Sequence, residues 1–403
     1  MTRENRTLLV VFVTILMDLI GFGIIIPISP FFAESLGASA TQVTWLGAGY
    51  SLMQFLFAPL WGRLSDRWGR KPIILFSIAI ATFGYVLFAH AESYAMLFVA
   101  RLLSGFGTAN FGAAQAIIAD TTPPERRARG MGLMGAAFGL GFTLGPAIGG
   151  ILGQWGMRVP ILTAAVLSAV NFCLALVLLP ETRPASGAVT PAEVRSPLNR
   201  IFALGRDINL RRLLVVLLVY STAFSMMEQV LGLFVEWTWV GERVPHPGES
   251  AGRASLLTAY ALIVVGVTAI LIQGVYIGRL VAKFGEKNLV VWGGTAVGIA
   301  FLLIPFSGMV GYWSFLAVMV LLAGGSGMLT PSASSLLSRA TAASEQGHIM
   351  GVGQSLSALG RVLGPAVAGL LFEQAIGLPF IVGGAMILFC MTLARHFRPV
   401  DAG

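Results

Sequence analysis

The sequence predicts an all-α polytopic membrane protein, with twelve transmembrane helices arranged as two pseudo-symmetric six-helix bundles. Three observations carry this reading. The 403 residues are 56% hydrophobic and only 11% charged, whereas a soluble domain carries about 25% charged residues. Apolar runs of about 20 residues, the length that crosses a bilayer, recur along the whole chain. The two halves also repeat. The polar island Gly62-Arg63-Leu64-Ser65-Asp66-Arg67-Trp68-Gly69-Arg70-Lys71 recurs 216 residues later as Gly278-Arg279-Leu280-Val281-Ala282-Lys283-Phe284-Gly285-Glu286-Lys287, with five of ten positions identical. A repeat of that length marks a duplicated bundle and points to a working site between the halves.

Twelve spans are expected near 7–32, 43–61, 73–89, 94–118, 130–152, 159–179, 211–236, 254–277, 289–306, 312–337, 350–372 and 378–395. An even number puts both termini on one side. The loops on that side hold 21 Lys and Arg, and the opposite loops hold three, Arg158, Arg243 and Arg253. The positive-inside rule therefore places both termini in the cytoplasm, in a multi-pass protein of the cell (inner) membrane. The first apolar run is too long for the core of a signal peptide and carries Asp18, so no cleavable signal is expected. Residues 1–180 make the first six-helix bundle, 181–209 a proline-containing cytoplasmic linker, and 210–403 the second bundle. The net charge of +8 lies in short loops rather than on a broad polar surface, which argues against nucleic acid. Cys173 and Cys390 sit inside apolar runs, so neither a disulfide nor a metal site is read, and no cofactor is expected.

Spans five and eleven carry related glycine patterns. Gly132, Gly141, Gly145, Pro146, Gly149 and Gly150 are matched, at an offset of 219, by Gly351, Gly360, Gly364, Pro365, Ala368 and Gly369. Glycines along one helix face make a groove for close packing, and such a seam suits a carrier whose parts rock.

Charged residues inside spans are the functional candidates. Asp18 lies mid-span one and Glu228 mid-span seven, and a 210-residue offset superposes Met17-Asp18 on Met227-Glu228. A charge at mid-membrane costs at least about 2.5 kcal/mol, so each carboxyl must be paired or protonated. Reversible protonation is the chemistry a proton-coupled carrier needs. Arg101 in span four and Arg361 in span eleven are the intramembrane bases. Pairing of Arg361 with Glu228 and of Arg101 with Asp18 is one arrangement, and binding of an anionic substrate group by one Arg is another. Gln54 and Gln115 are candidate cavity residues beside the plainer alternative of helix–helix hydrogen bonds. Phe224 and Met227 suit a cavity for greasy, aromatic compounds.

These residues resemble a known family. The whole chain resembles the major facilitator superfamily and is most similar to its twelve-helix drug/proton antiporters, including the tetracycline exporters. Gly62–Lys71 resembles the superfamily's loop 2–3 signature at nearly every position. Leu97 through Ala109, with Arg101 and Gly105, resembles the helix-four signature linked to proton transfer, although Ser104 stands where Gln is often found. Gly141, Gly145, Pro146, Gly149 and Gly150 resemble the antiporter signature of helix five. Pro27 and Pro30 with Asp18 resemble the helix-one pattern. The resemblance implies the major facilitator fold and a latch made of Gly62, Asp66, Arg67, Gly69 and Arg70. In it Asp66 would face the start of helix eleven, and Arg70 would pair with Asp120. Ala282 replaces Asp66 in the second copy, so the latch should be asymmetric. The chain departs from the best-known tetracycline exporters in having no acid in span nine and no His within span eight, which points away from tetracycline itself.

The expected function is proton-coupled secondary export of small lipophilic compounds by alternating access, with a small-molecule substrate, protons and the bilayer as partners and a monomer as the working unit. The alternatives are an importer or facilitator of a metabolite, a lipid mover on the same fold, and a non-transporting receptor. An enzyme is not expected, because no nucleophile–base pair, metal cluster or phosphate loop is present in the sequence.

Overall fold

The computed structural model describes residues 3–122, 127–182, 208–241, 247–339 and 346–395, and every regular element among them is helical. In hydrocarbon each backbone N–H and C=O must be satisfied inside the crossing segment, which a helix achieves by itself. Span one is α1 (Arg3–Ile25), followed by the short α2 (Ser29–Ser35). The expected single span over 7–32 divides here because Pro27 offers no N–H, and Pro30 sits in the first turn of α2. Span two is α3 (Ala40–Trp68), opened by a capping box between Ser39 and Gln42. Spans three to six are α4 (Arg70–Ala89), α5 (Tyr94–Gly107) with α6 (Phe111–Thr121), α7 (Arg127–Leu152) and α8 (Arg158–Leu178). Spans seven and eight are α9 (Ile208–Val235) and α10 (Pro247–Leu271), the latter continued through a π-helical turn at Ile272–Tyr276 into α11 (Ile277–Phe284). Spans nine to twelve are α12 (Glu286–Val310), α13 (Tyr312–Arg339), α14 (Gln346–Gln374) and α15 (Leu378–Ala394). Nine stretches among the described residues are long and apolar enough to cross a membrane, and α15 is a shorter apolar helix. With α3 and the interrupted α5–α6, the twelve spans are complete.

Three local differences from the sequence reading bear on the site. Span four is not continuous: a 3₁₀ turn over Thr108–Asn110 separates α5 from α6 and sets Asn110 at the break. The island Gly62–Lys71 is not a loop. α3 runs through it to Trp68, and Gly69, at φ +107°, makes the reversal into α4. Span nine begins three residues early and carries Glu286 in its first turn, so an acid is present where none was expected. Of the expected linker 181–209, most lies outside the described residues.

Tertiary contacts divide the chain into two compact units, Met1–Thr190 with Val235–Ile263, and Pro191–Phe234 with Val264–Gly403. The first unit thus gathers, beside the first six spans, the adjoining ends of spans seven and eight. Each unit contains one glycine seam. In the first, α7 lies on α1 so closely that a Cβ at Gly145 would come 2.6 Å from Gly23 Cα, and one at Gly149 would come 2.2 Å from the Ile24 carbonyl oxygen. The contact continues past the end of α1, where a Cβ at Gly150 would meet Ala259 at 2.2 Å. In the second, α14 lies on α9, and a Cβ at Gly364 would come 2.4 Å from the Thr222 carbonyl oxygen. Ser225 Oγ also donates to the Gly360 carbonyl at 3.1 Å. Lipid tails are as apolar as the side chains, so helices associate here by contact area and interhelical hydrogen bonds, both of which need close approach.

These contacts predict opposite outcomes for three substitutions. Gly145→Ala and Gly364→Ala should each destabilise the protein by about 1–3 kcal/mol. Gly62→Ala, where a Cβ meets nothing within 4 Å, should leave stability unchanged or slightly higher, as Ala favours helix. Thermal unfolding of purified protein in detergent reads all three.

Candidate functional site

Asp18 is partly buried on α1, on the same helix that forms the first seam. Its Oδ1 accepts from Asn171 Nδ2 of α8 at 2.8 Å, and the same Nδ2 donates to the Thr14 carbonyl at 3.0 Å. Asn171 is fully buried, and its Oδ1 has no hydrogen-bond partner among the described residues. Asn110, at the break in span four, approaches the same carboxylate and donates to Ser77 Oγ at 2.5 Å. A cavity of about 10 Å³ lies among Asp18, Thr14, Asn110 and the apolar residues around them, at the lower limit for one water. Tyr85, 2% exposed, has a buried hydroxyl with no hydrogen-bond partner among the described residues and lies within electrostatic reach of Asp18, Tyr50 and Arg101.

Arg101 lies in the same electrostatic neighbourhood of Tyr85 as Asp18. It is 3% exposed, and its guanidinium lies over the Tyr50 ring at 4.8 Å and the Phe88 ring at 5.9 Å. Aromatic faces are a workable environment for a cation away from water. Tyr50 organises the neighbourhood. Its hydroxyl accepts from Thr108 Oγ1 at 2.7 Å and from Gln54 Nε2 at 3.1 Å, and its ring stacks on Phe22 at 5.0 Å. Gln54 is therefore tied into a three-residue network with Tyr50 and Thr108. Gln115 is partly buried on α6. Tyr50, Tyr85 and Asn171 are the members that sequence reasoning missed as site residues. Their signal was a polar tip in an otherwise apolar run, which by itself does not distinguish a site from a helix–helix hydrogen bond.

In the second unit, Glu228 is partly buried on α9 and lies within electrostatic reach of Tyr220, whose ring tilts against Phe224 at 5.7 Å. Phe224 is partly exposed. Met227 is buried on α9, at 2% exposure. Arg361 is exposed on α14, although it sits one residue from Gly360 of the seam.

The first island is held by an ionic cluster. Arg70 Nε donates to Asp120 Oδ2 at 3.1 Å, as the resemblance implies, and its Nη1 donates to Ser65 Oγ at 2.8 Å and to Asp66 Oδ1. Asp66 is thus engaged within its own bundle. Arg67 is exposed. Glu181, at the start of the expected linker, accepts from the backbone N–H groups of Arg70 at 2.9 Å and Lys71 at 3.2 Å. A carboxylate on the free N–H groups of α4 caps that helix and meets the positive end of its dipole. Gly69 takes a φ of +107°, a backbone conformation that L side chains rarely adopt, and a Cβ there would also crowd the Glu181 carboxylate. The second island reproduces the arrangement with charges exchanged. Glu286 stands at the position of Arg70 and is 8% exposed. It accepts from Ser335 Oγ at 2.5 Å and pairs with Arg339, at the end of α13, at 3.5 Å. Thus Arg70–Asp120 in one bundle becomes Glu286–Arg339 in the other.

The family model for the Major Facilitator Superfamily matches residues 11–242 and 244–403. The chain belongs to the major facilitator superfamily. It is 31% identical over 402 residues to the class C tetracycline resistance protein of Escherichia coli, covering 98% of each chain. It is 26% identical to multidrug resistance protein 2 of Bacillus subtilis (strain 168), covering 98% of this chain and 96% of that one. The crystal structure of the human organic anion transporter MFSD10 (TETRAN) matches 98% of this chain and all of its own, with 28% identity and a TM-score of 0.70. A peptide transporter, POT, shares the fold at 15% identity and a TM-score of 0.75.

This superfamily member carries one more acidic pair, at the α2 end of the first unit. Phe31 of α2 packs with Val240, Ala251 and Ala254, and beside that cluster the Glu34 and Glu236 carboxyls meet. Two carboxylates are both acceptors, so their contact requires a proton. Glu34 is pushed up from its ordinary 4.5 to about 8, first by burial and then by the hydrogen bond and charge of Glu236. Among the described side chains of the packed elements, Arg158 and Arg253 are exposed.

Two outcomes follow from this geometry. The Glu34–Glu236 contact is strongest below about pH 4.5 and weakens as the pH climbs toward 8. Maleimide labelling of Ala254→Cys in a cysteine-free background should therefore rise several-fold between about pH 6 and pH 9, relative to the same protein carrying Glu34→Gln. A flat ratio rejects the shared proton. For the islands, Arg70→Glu alone confronts Asp66, Asp120 and Glu181 and should abolish most folded protein. Adding Asp120→Arg and Asp66→Ala recreates the charge order of the second island and should restore it, as read by the monodisperse peak in size-exclusion chromatography.

Proposed function

We propose that this chain is a proton-driven exporter of small lipophilic compounds, working by alternating access as a monomer, with both termini in the cytoplasm. The observation that carries the reading is the full-length similarity to tetracycline and multidrug resistance proteins. The geometry around Asp18 supplies a physical means. An ionised Asp18 is compensated by the Asn171 amide. A protonated Asp18 becomes a donor, and the unpartnered Asn171 Oδ1 is an acceptor within the same side chain. Asp18 would thus exchange one hydrogen-bond pattern for another on taking up a proton, without leaving a buried charge. Proton and substrate then drive the carrier in opposite senses by favouring different states. Glu228 is the second proton candidate, at the matching position of α9. Arg101, held over Tyr50, sets the local potential around Asp18. The Arg70–Asp120–Asp66 cluster acts as the latch of the charged face of the first bundle.

A second reading, carriage of an organic anion, is favoured by the 28% identity with the human organic anion transporter and by the exposed Arg361. The test separates the two. Proteoliposomes containing an internal pH dye receive lipophilic cations, neutral compounds and organic anions in turn. Proton flux triggered by the lipophilic compounds, lost in Asp18→Asn and in Glu228→Gln, is expected. Asp66→Asn should reduce the rate while leaving folding intact. Flux with anions alone, abolished by Arg361→Gln, would establish the second reading. Normal flux in both carboxyl variants would reject proton coupling through them.

A further inference from the structure

The second unit bears a groove of about 550 Å³ beside α12, closed at one end by Arg395 after α15. It is built as a stripe. Asn288, Trp292, Thr295 and Ile299 stand on successive turns of one face of α12, the spacing that lines up side chains along a helix. Eleven residues of helix span about 16 Å, close to the hydrocarbon thickness of one leaflet, about 15 Å. The two ends of the stripe differ in character. At the Glu286 end, Lys287 and Arg395 approach from two different helices. Glu286, on the same turn, is engaged by Ser335 and Arg339. Lys283 stands over the Phe284 ring at 5.1 Å, and that ring meets Trp292 edge-on at 5.2 Å. Trp292 is 49% exposed yet held by this contact. Beyond it the lining is apolar. Thr295 donates its hydroxyl to the Val291 carbonyl at 2.7 Å, so its polar group is satisfied along the helix, and Ile299 and Leu321 finish the wall.

We propose that this groove is a binding site for one anionic phospholipid, its phosphate-bearing headgroup between Lys287 and Arg395 and one acyl chain along the Trp292–Ile299 stripe. Charge complementarity selects the occupant: two cations at headgroup level attract an anionic lipid, while a stripe one leaflet deep suits an acyl chain. Trp292 lies at the junction, the level at which indole rings sit in a bilayer. A soluble anion would use the cations and leave the stripe unfilled. A zwitterionic lipid would fill the stripe without preference for the cations.

The test uses the full chain purified in detergent. Phosphatidylglycerol and phosphatidylcholine with identical brominated acyl chains are titrated, and quenching of Trp292 is taken as the difference between wild type and Trp292→Phe. Brominated phosphatidylglycerol should quench that component at concentrations where phosphatidylcholine does not. Lys287→Gln and Arg395→Gln should each weaken it about fivefold. Arg395 is exposed at a helix end, so Arg395→Gln keeps the test open if Lys287→Gln fails to fold. Inorganic phosphate should not displace the lipid. Equal quenching by the two lipids, displacement by millimolar phosphate, or unchanged affinity in Arg395→Gln would each overturn the proposal.

Discussion

Close approach between helices is the constraint on which the rest of this molecule depends. In a bilayer, apolar side chains gain nothing by leaving lipid for one another, so a helix pair holds only where backbones come near enough for dispersion and polar contacts to accumulate. Gly145 and Gly149 bring α7 onto α1, and Gly360 and Gly364 bring α14 onto α9. The two helices carrying the intramembrane acids, Asp18 and Glu228, are the two that receive these glycines. Each acid therefore rides on a helix whose position is set by backbone contact rather than by adaptable side chains. Asp18 can then depend on a 2.8 Å bond from Asn171 across helices, because the helices that bear the two groups are held in place.

The polar ends of the helices obey a different rule. There the free N–H and C=O groups must find partners, and the two islands meet this need with one geometry and opposite charges. In the first bundle a base at the start of α4 reaches an acid at the end of α6. In the second, an acid at the start of α12 reaches a base at the end of α13. Duplication has kept the position of the contact and left its polarity free. Coulomb attraction depends on the product of the charges, and exchanging both leaves it unchanged. The loss of Asp66 in the second copy belongs with this exchange: an acid beside Glu286 would repel it, and Ala282 does not.

Much of this was legible in the residues. The spans follow from hydropathy, the duplication from the repeated islands, and the Arg70–Asp120 pair from the superfamily resemblance. Asp18 and Glu228 stood out because an acid in an apolar run has few structural reasons to be there. Other features were hidden for identifiable reasons. Glu181 reads as the first polar residue of a linker, and its capping role depends on α4 starting beside it, 111 residues earlier in the chain. Tyr50 and Tyr85 read as ordinary aromatics of apolar helices: Gln54 meets Tyr50 one turn along α3, but Thr108 reaches the same hydroxyl, and Tyr85 reaches the neighbourhood of Asp18, only through packing. Charge alone suggests a place for Arg101 near Asp18, but only packing could reveal that its guanidinium lies over the faces of Tyr50 and Phe88.

By itself the sequence determined that this chain crosses a membrane twelve times in two related halves, because crossing requires long apolar runs and duplication leaves matching islands and glycines. It also singled out the carboxyls, because charge in hydrocarbon is costly wherever the helix sits. The tertiary structure decided which groups those charges meet, which glycines are tight seams and which, like Gly62, touch nothing, and where Lys287 and Arg395 converge. Those outcomes depend on distances between residues remote in the chain, and a distance of that kind is set by packing, not by local composition.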